Sequence, residues 1–341
     1  LAVAWLVKPE SQPPLRKAMI PIDISSFSLQ LGWDGPVISP DGIRVAYVDH
    51  NRLWIQNLNQ LSPLEIPDSD NASFPFWSPN SEYVGYFDNN EFTLKKVSIR
   101  GGPSIHLCKL PSTRPYVTTG AAWSIDGNIV FNVINDLYVV SDQGGSPHIY
   151  LQPDSARGEF RINFPYFMTD GRTLLYIVGL RDGASSIVAY VEGNTQEIFS
   201  YPEERLFSPS YSPTGHLLYR RAQPNSGVWA IRFDGVQASD QHFLVAERGI
   251  RPSVSTDGTL VYGNQSHMQE LIQVDRRGGI GKTFRNPLRY ILSPALSPDG
   301  RYIAVQGRDQ SHERVISFSI YLYDVFQDTR TRFTPDVNAY S

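Results

Sequence analysis

Hydrophobic residues along this chain fall into short runs and show no helical period. Seven runs of β-branched and aromatic residues recur at regular intervals, at residues 44–48, 83–87, 128–131, 174–177, 217–219, 260–262 and 302–305. A second run follows each of them, at residues 53–56, 94–97, 137–140, 187–190, 228–231, 271–274 and 320–323. Short runs of this composition between polar segments predict buried β-strands. We therefore expect an all-β protein.

A polar phrase of the form Ser-Pro-Asp-Gly precedes each first run. Its seven copies end at residues 42, 81, 127, 171, 215, 258 and 300, so the period is near 43 residues. In such a phrase Pro presets the first turn position, and Gly supplies the left-handed residue of a strand reversal. Four strands in each period of this length are typical of a β-propeller blade. The sequence predicts four-stranded blades in seven repeats, with six to eight blades possible.

The two ends of the chain differ from the repeats. Residues 1–7 are uninterrupted apolar sequence ending at Lys8, and a Pro-rich stretch follows. Seven residues cannot cross a bilayer, but they match the end of a span with Trp5 at the interface; a buried strand or a disordered terminus is the alternative. We expect residues 1–15 to be the end of a membrane span plus linker. Residues 16–341 would form one propeller domain, truncated at its C-terminus, with residues 17–22 as an extra outer strand.

Composition and charge narrow the function. The chain has 341 residues, 41% of them hydrophobic, and a net charge of −4. It therefore lacks the excess of basic residues expected of a dedicated nucleic-acid binder. The single cysteine, Cys108, excludes an internal disulfide and a cysteine-rich metal site. The seven histidines stand singly, and residues 68–71 lack the Gly and distal Glu of a calcium loop. We therefore predict no metal and no cofactor.

Motifs of catalysis are missing from this segment. Residues 278–283 look like part of a phosphate-binding loop, but Arg276 stands where such a loop needs Gly, and Pro287 follows where it needs a helix. The sequence contains no kinase catalytic phrase, no Gly-x-Ser-x-Gly elbow and no His-Glu-x-x-His. We expect a binding domain and no enzymatic activity in this segment.

Basic and polar residues cluster just before the predicted first strand of several repeats. Because the innermost strands of a propeller all begin at one face, these residues are predicted to line the mouth of the central channel. Convergent guanidinium groups there would favour a carboxylate or phosphate partner. The alternative is that each arginine pairs with a neighbouring acid and ties blades together. The predicted rim residues are Arg114, Tyr116, Arg161, Asn163, Arg205, Arg251 and Arg289.

The phrases at residues 37–42, 74–79 and 293–300 resemble the WD-type "PD" repeats of TolB-like β-propellers. Copies without Pro, at Ile125, Thr169 and Thr256, and without Gly, at Ser81, depart from that pattern. The order of phrases is more narrowly similar to the C-terminal propellers of bacterial transmembrane serine/threonine protein kinases.

That resemblance implies a membrane-anchored sensory or interaction domain on the extracytoplasmic, periplasmic side. Its partner would be a protein, a peptide or a cell-envelope ligand. Two alternatives stay open: the gating propeller of a prolyl-oligopeptidase-type hydrolase, and a TolB-like scaffold in an envelope complex.

Overall fold

The computed structural model describes residues 34–113, 118–202, 204–222, 225–264, 271–274, 280–284, 288, 290–308 and 319–334. The predicted terminal features at residues 1–15 and 17–22 lie outside these ranges. The regular secondary structure of the described residues is β-strand, apart from one 3-10 turn at Ser155–Arg157. No helix among them has the length and apolarity needed to span a membrane.

Each repeat consists of the strand before one turn phrase and the strands after it. Repeat 1 contains β1 (Val37–Ile38), β2 (Arg44–Asp49), β3 (Arg52–Asn57) and β4 (Leu64–Glu65). Repeat 2 contains β5 (Ala72–Trp77), β6 (Tyr83–Asp88), β7 (Thr93–Ser98) and β8 (Ile105–Lys109). Repeat 3 contains β9 (Ala121–Trp123), β10 (Asn128–Val133), β11 (Asp136–Ser141) and β12 (His148–Leu151). Repeat 4 contains β13 (Glu159–Phe167), β14 (Leu174–Leu180), β15 (Ser185–Val191) and β16 (Asn194–Tyr201).

Repeat 5 contains β17 (Leu206–Ser212), β18 (His216–Arg221), β19 (Gly227–Phe233) and β20 (Ala238–Glu247). Repeat 6 contains β21 (Gly249–Val254), β22 (Leu260–Asn264), β23 (Ile272–Val274) and β24 (Ile280–Thr283), paired as two hairpins. Repeat 7 contains β25 (Tyr290–Leu296), β26 (Tyr302–Arg308), β27 (Ser319–Asp324) and β28 (Thr329–Arg332). The other six repeats are four-stranded antiparallel sheets in chain order. The predicted all-β propeller fold is thus confirmed.

The turn phrase reverses the chain as its residues predict. In repeat 1 the Gly42 amide donates to the Ser39 carbonyl at 2.9 Å, and the Ser39 hydroxyl accepts from the Arg44 amide at 2.9 Å. Gly42 has φ +73, the left-handed conformation that the turn requires. Ser81, which replaces Gly in repeat 2, also adopts a positive φ of +60, and its hydroxyl accepts from the Asp41 amide at 3.1 Å. The departure from the phrase is therefore accommodated without loss of the turn.

Six repeats close the ring of inner strands, which are the first strands of the repeats. Inner strands of successive repeats contact one another from β1 to β21, and β21 contacts β1. The Ile38 amide donates to the Ser253 hydroxyl at 3.1 Å, and the Thr256 amide donates to the Pro40 carbonyl at 2.9 Å. Because β21 contacts β1 directly, the ring closes without repeat 7, on whose inner strand Leu296 is 65% exposed.

Most inner strands contain a β-bulge at the residue that precedes a proline. The strand register shifts there in repeats 2, 4, 5, 6 and 7. Each bulge residue has a positive φ between +45 and +52, which is unusual for side chains other than glycine. The bulge residues are Phe74, Phe164, Ser208, Arg251 and Ser293.

Much of the hydrophobic core lies in the seams, which we define as the interfaces between neighbouring repeats. In seam 2/3, Phe74 and Phe76 share one buried cluster with Trp123 and Phe131. In seam 4/5, Phe164 packs edge-on against Phe207 with ring centroids 5.6 Å apart. The bulge thus turns its residue into the seam toward the following repeat.

Candidate functional site

The six inner strands surround a central cavity of about 290 Å³. Its walls are mainly apolar and aromatic, and they include Phe76, Trp77, Trp123, Tyr166 and Phe167. Arg251 is the charged residue among its lining residues. A concave apolar space of this size lies at the lower end of the range of small-ligand pockets, about 300–1,000 Å³.

Arg251 occupies the bulge of β21 in seam 6/1 and forms hydrogen bonds to two other repeats there. Its Nη1 donates to Asp34 Oδ1 at 2.5 Å, and its Nη2 donates to the Pro75 carbonyl at 2.8 Å. The other Asp34 oxygen accepts from the Phe74 amide at 2.7 Å, and Asp34 is 1% exposed. Burial lowers the pKa of Arg251, and the Asp34 carboxylate opposes that effect. Arg251 therefore ties repeats 6, 1 and 2 together, which is the geometry of the structural alternative rather than that of a binding group.

Arg161 lies on β13, directly opposite Gly179 of β14. A Cβ atom at position 179 would lie 2.6 Å from Arg161 Nε, so the glycine makes room for this side chain. Among the described residues, the half-buried guanidinium has no carboxylate within 4 Å, and its Nε has no hydrogen-bond partner. Burial lowers the pKa of Arg161 to about 10, and the positive charge of Arg205 adds to that effect. Within the described ranges, Arg161 thus has no acidic partner, and its guanidinium lies over the Phe160 ring, 5.1 Å from the ring centroid.

Asn163 and Arg205 complete this polar group at the start of seam 4/5. Asn163 lies two residues after Arg161, opposite Ile177, whose side chain belongs to the core cluster of seam 4/5. Asn163 is 6% exposed, and its Oδ1 has no partner among the described residues. Arg205 is partly exposed just before β17, and within the same ranges it has no ion pair.

Two described acidic residues close to this group in the sequence, Glu204 and Glu159, are already engaged. Glu204 accepts two hydrogen bonds from Arg221, each of 2.7 Å. Glu159 Oε2 accepts from the Asp154 amide at 2.8 Å. Neither carboxylate is therefore placed to neutralise the two arginines. We call Arg161, Asn163 and Arg205 the rim site.

The rim site can bind an anion because guanidinium groups pair with carboxylates and phosphates through charge-assisted hydrogen bonds. Three other predicted rim residues, Arg114, Tyr116 and Arg289, lie outside the described residues. Sequence reasoning missed Asp34 and Gly179, which decide whether an arginine is paired. For Gly179 the signal was a glycine two residues after the apolar run at 174–177.

Metal binding and cysteine chemistry find little support within the described part of the chain. It holds no group of three His, Cys, Asp or Glu side chains that could bind a metal ion. Cys108 is buried in seam 2/3, and desolvation raises the pKa of its thiol to about 11. A buried thiol with that pKa is a poor nucleophile at neutral pH.

Comparison with known proteins gives the fold. No family model matches the chain, and no curated protein matches it. A putative TolB from Agrobacterium tumefaciens is similar with a TM-score of 0.51 at 18% identity, over 67% of this chain and 90% of that one. Hydrazine synthase from Kuenenia stuttgartiensis is similar with a TM-score of 0.51 at 13% identity, over 88% of this chain and 94% of that one. The chain has a TolB-like β-propeller fold.

Proposed function

We propose that this propeller is a non-catalytic binding module whose ligand presents an anionic group to the rim site. The ligand would be a protein, a peptide or a cell-envelope component with a carboxylate or phosphate. The observation that carries this proposal is the half-buried Arg161, which has no acidic partner among the described residues, in the same ring where Arg251 has one.

An anion at the rim site would remove two unfavourable free-energy terms together. Burying the Arg161 guanidinium without a counter-charge costs solvation free energy, and the nearby Arg205 adds repulsion. A carboxylate or phosphate between the two side chains would offset both terms and would satisfy Arg161 Nε. A neutral ligand would relieve neither.

For the context of this module we propose the sensory domain of a membrane-anchored serine/threonine kinase-like receptor, on the extracytoplasmic side. The order of the turn phrases supports this reading, and so do the apolar residues 1–7. In this proposal residues 1–15 are the end of the span and its linker, and residues 16–341 are the propeller domain.

A TolB-like scaffold in an envelope complex is a second candidate, which the fold favours equally. The coding sequence on either side of this segment separates the candidates. A kinase domain and a span upstream would support the receptor, and a cleavable signal peptide upstream would support the scaffold. A Gly-x-Ser-x-Gly region downstream would instead indicate the gating propeller of a hydrolase.

An NMR titration tests the binding proposal directly. Inorganic phosphate and acetate are added while the arginine Nε–H resonances are followed, with Arg161→Leu used to assign the resonance of Arg161. We expect a saturable shift of the Arg161 resonance, and no shift of the Arg251 resonance, which serves as the paired control. Equal, non-saturating responses of the two resonances would refute the rim site.

A further inference from the structure

Seam 3/4 differs from its two neighbours at the position of the inner-strand bulge. Phe74 holds this position in repeat 2, and Phe164 holds it in repeat 4. In repeat 3 the corresponding residue is Gly120, with φ +142. A Cβ built on Gly120 would meet no heavy atom within 4 Å among the described residues. The immediate surroundings of Gly120 are therefore unfilled by described residues, at a position where the neighbouring repeats carry a phenylalanine.

The side chain two residues later on the same inner strand is also small. Ala122 pairs with Val130 of β10, just as Phe76 pairs with Gly85 and Tyr166 pairs with Leu175. These three residues hold equivalent positions, and two of them are aromatic. Repeat 3 thus lacks both aromatic rings that the inner strands of repeats 2 and 4 contribute to their seams.

The central cavity reaches this part of the channel wall. Gly120 and Ala122 both line it, and so do Phe164, Phe167 and Met168 of repeat 4. The charged residue in the lining, Arg251, is bound to Asp34 and leaves no free charge for a ligand. Apolar walls without a free charge favour an uncharged apolar ligand, and aromatic walls favour stacked or edge-on rings.

We propose that the cavity beside Gly120 and Ala122 binds one uncharged aromatic ring. The ring would be the side chain of a Phe or Tyr residue on a peptide ligand whose anionic group sits at the rim site, so this inference rests on the proposed function. The propeller itself indicates the fit, because seams 2/3 and 4/5 accommodate such rings at the equivalent positions. Burial of a ring removes a large apolar area from water and is the main source of affinity.

Binding of p-cresol, the side-chain analogue of tyrosine, tests the inference on the whole chain. The protein is titrated with p-cresol, and its amide resonances are followed by NMR. We expect saturable binding with the largest shifts at the Gly120 and Ala122 amides. Cyclohexanol, a non-aromatic probe of similar size, should bind at least about tenfold more weakly, a difference that corresponds to about 1.4 kcal/mol.

A variant that fills the cavity provides a second test of p-cresol binding. Ala122→Phe places in repeat 3 the side chain that Phe76 contributes in repeat 2, and it should weaken p-cresol binding at least tenfold. Leu61→Phe adds the same ring at a fully exposed position outside the cavity and should leave binding unchanged. Circular dichroism and thermal unfolding check that both variants fold.

Two results would overturn the inference. One is the absence of saturable p-cresol binding to the wild-type chain, and the other is equal affinity of wild type and a folded Ala122→Phe variant. If that variant does not fold, the wild-type shift map decides, since shifts that avoid Gly120 and Ala122 contradict the site. The phosphate titration at Arg161 is read from a different resonance, so failure of the aromatic site and failure of the rim site are distinguishable.

Discussion

Seams 6/1 and 4/5 each contain an inner-strand arginine, and the two arginines have opposite surroundings. Arg251 reaches across seam 6/1 to Asp34, a residue 217 positions away in the sequence. In seam 4/5 the bulge position is taken by Phe164, and Arg161, three residues earlier, lies against Gly179 without an acid. An acid supplied by a distant repeat thus gives Arg251 its structural role, whereas Arg161 has no such acid among the described residues.

The energetics of the two seams differ accordingly. A buried ion pair contributes little net stability, but removal of one partner leaves an uncompensated buried charge. An unpaired, half-buried arginine instead lowers the free energy of unfolding. Groups of this kind concentrate at functional sites, where binding of a partner offsets the cost.

The largest expected effect comes from breaking the pair in seam 6/1. Asp34→Ala removes the acceptor of Arg251 Nη1 and of the Phe74 amide, so we expect a loss of about 3–5 kcal/mol in the free energy of unfolding. Urea denaturation monitored by tryptophan fluorescence measures this quantity. A loss below about 1 kcal/mol would mean that seam 6/1 does not depend on the pair.

A double variant sharpens the same comparison. Arg251→Phe with Asp34→Leu replaces the pair by apolar residues, with Phe at the bulge as in repeats 2 and 4. Exchange of a buried pair for well-packed apolar groups is often neutral, so the double variant should recover most of the stability lost in Asp34→Ala. A double variant as unstable as Asp34→Ala would show that the ring needs the ion pair itself for closure.

The next effect concerns binding at seam 4/5 rather than stability. Gly179→Ala places a Cβ 2.6 Å from Arg161 Nε and must displace that side chain while its charge is kept. Phosphate affinity should fall by about tenfold, the scale of one lost charge-assisted hydrogen bond. Gly281→Ala is the matched control, since its Cβ makes only an ordinary contact of 3.7 Å with the Gln273 carbonyl. Equal phosphate affinity in both variants would contradict the position of Arg161 in the rim site.

Strands and turns could be predicted from the sequence because they depend on neighbouring residues. Each first run lies within an observed strand, and Gly42 has the left-handed conformation that its phrase requires. The number of repeats in the ring could not be predicted, because closure depends on contacts between β1 and β21, which are far apart in the chain.

The candidate site could be predicted only in part, for the same reason. Their place just before the predicted first strands drew attention to Arg161 and Arg205, but it did not separate them from Arg251. That separation depends on Asp34, whose place across the ring has no local signal. The bulge itself was missed, although the repeated pairs of a residue with a following proline were its signal.

The smallest expected effect uses Cys108 as a reporter of seam 2/3. Its thiol is buried, and desolvation raises its pKa to about 11, so alkylation by iodoacetamide at pH 8 should be slow in the folded wild type. Asp34→Ala should accelerate labelling, because Asp34 also holds the Phe74 amide at this seam. Labelling of Arg161→Leu should proceed at the wild-type rate, as mass spectrometry can measure. Faster labelling of that variant would give Arg161 a structural role.

The most direct test compares the unfolding free energies of Arg161→Leu and Arg251→Leu in urea at pH 7. Burial lowers the pKa of Arg161 in the folded state to about 10, still far above 7, so at pH 7 the guanidinium is charged in both states and its burial cost is fully present. We predict that Arg161→Leu is as stable as wild type within about 0.5 kcal/mol, or more stable. Arg251→Leu should lose about 3 kcal/mol, because it leaves the Asp34 carboxylate buried without its cation. A comparable loss in both variants would contradict the division between a structural and a binding arginine.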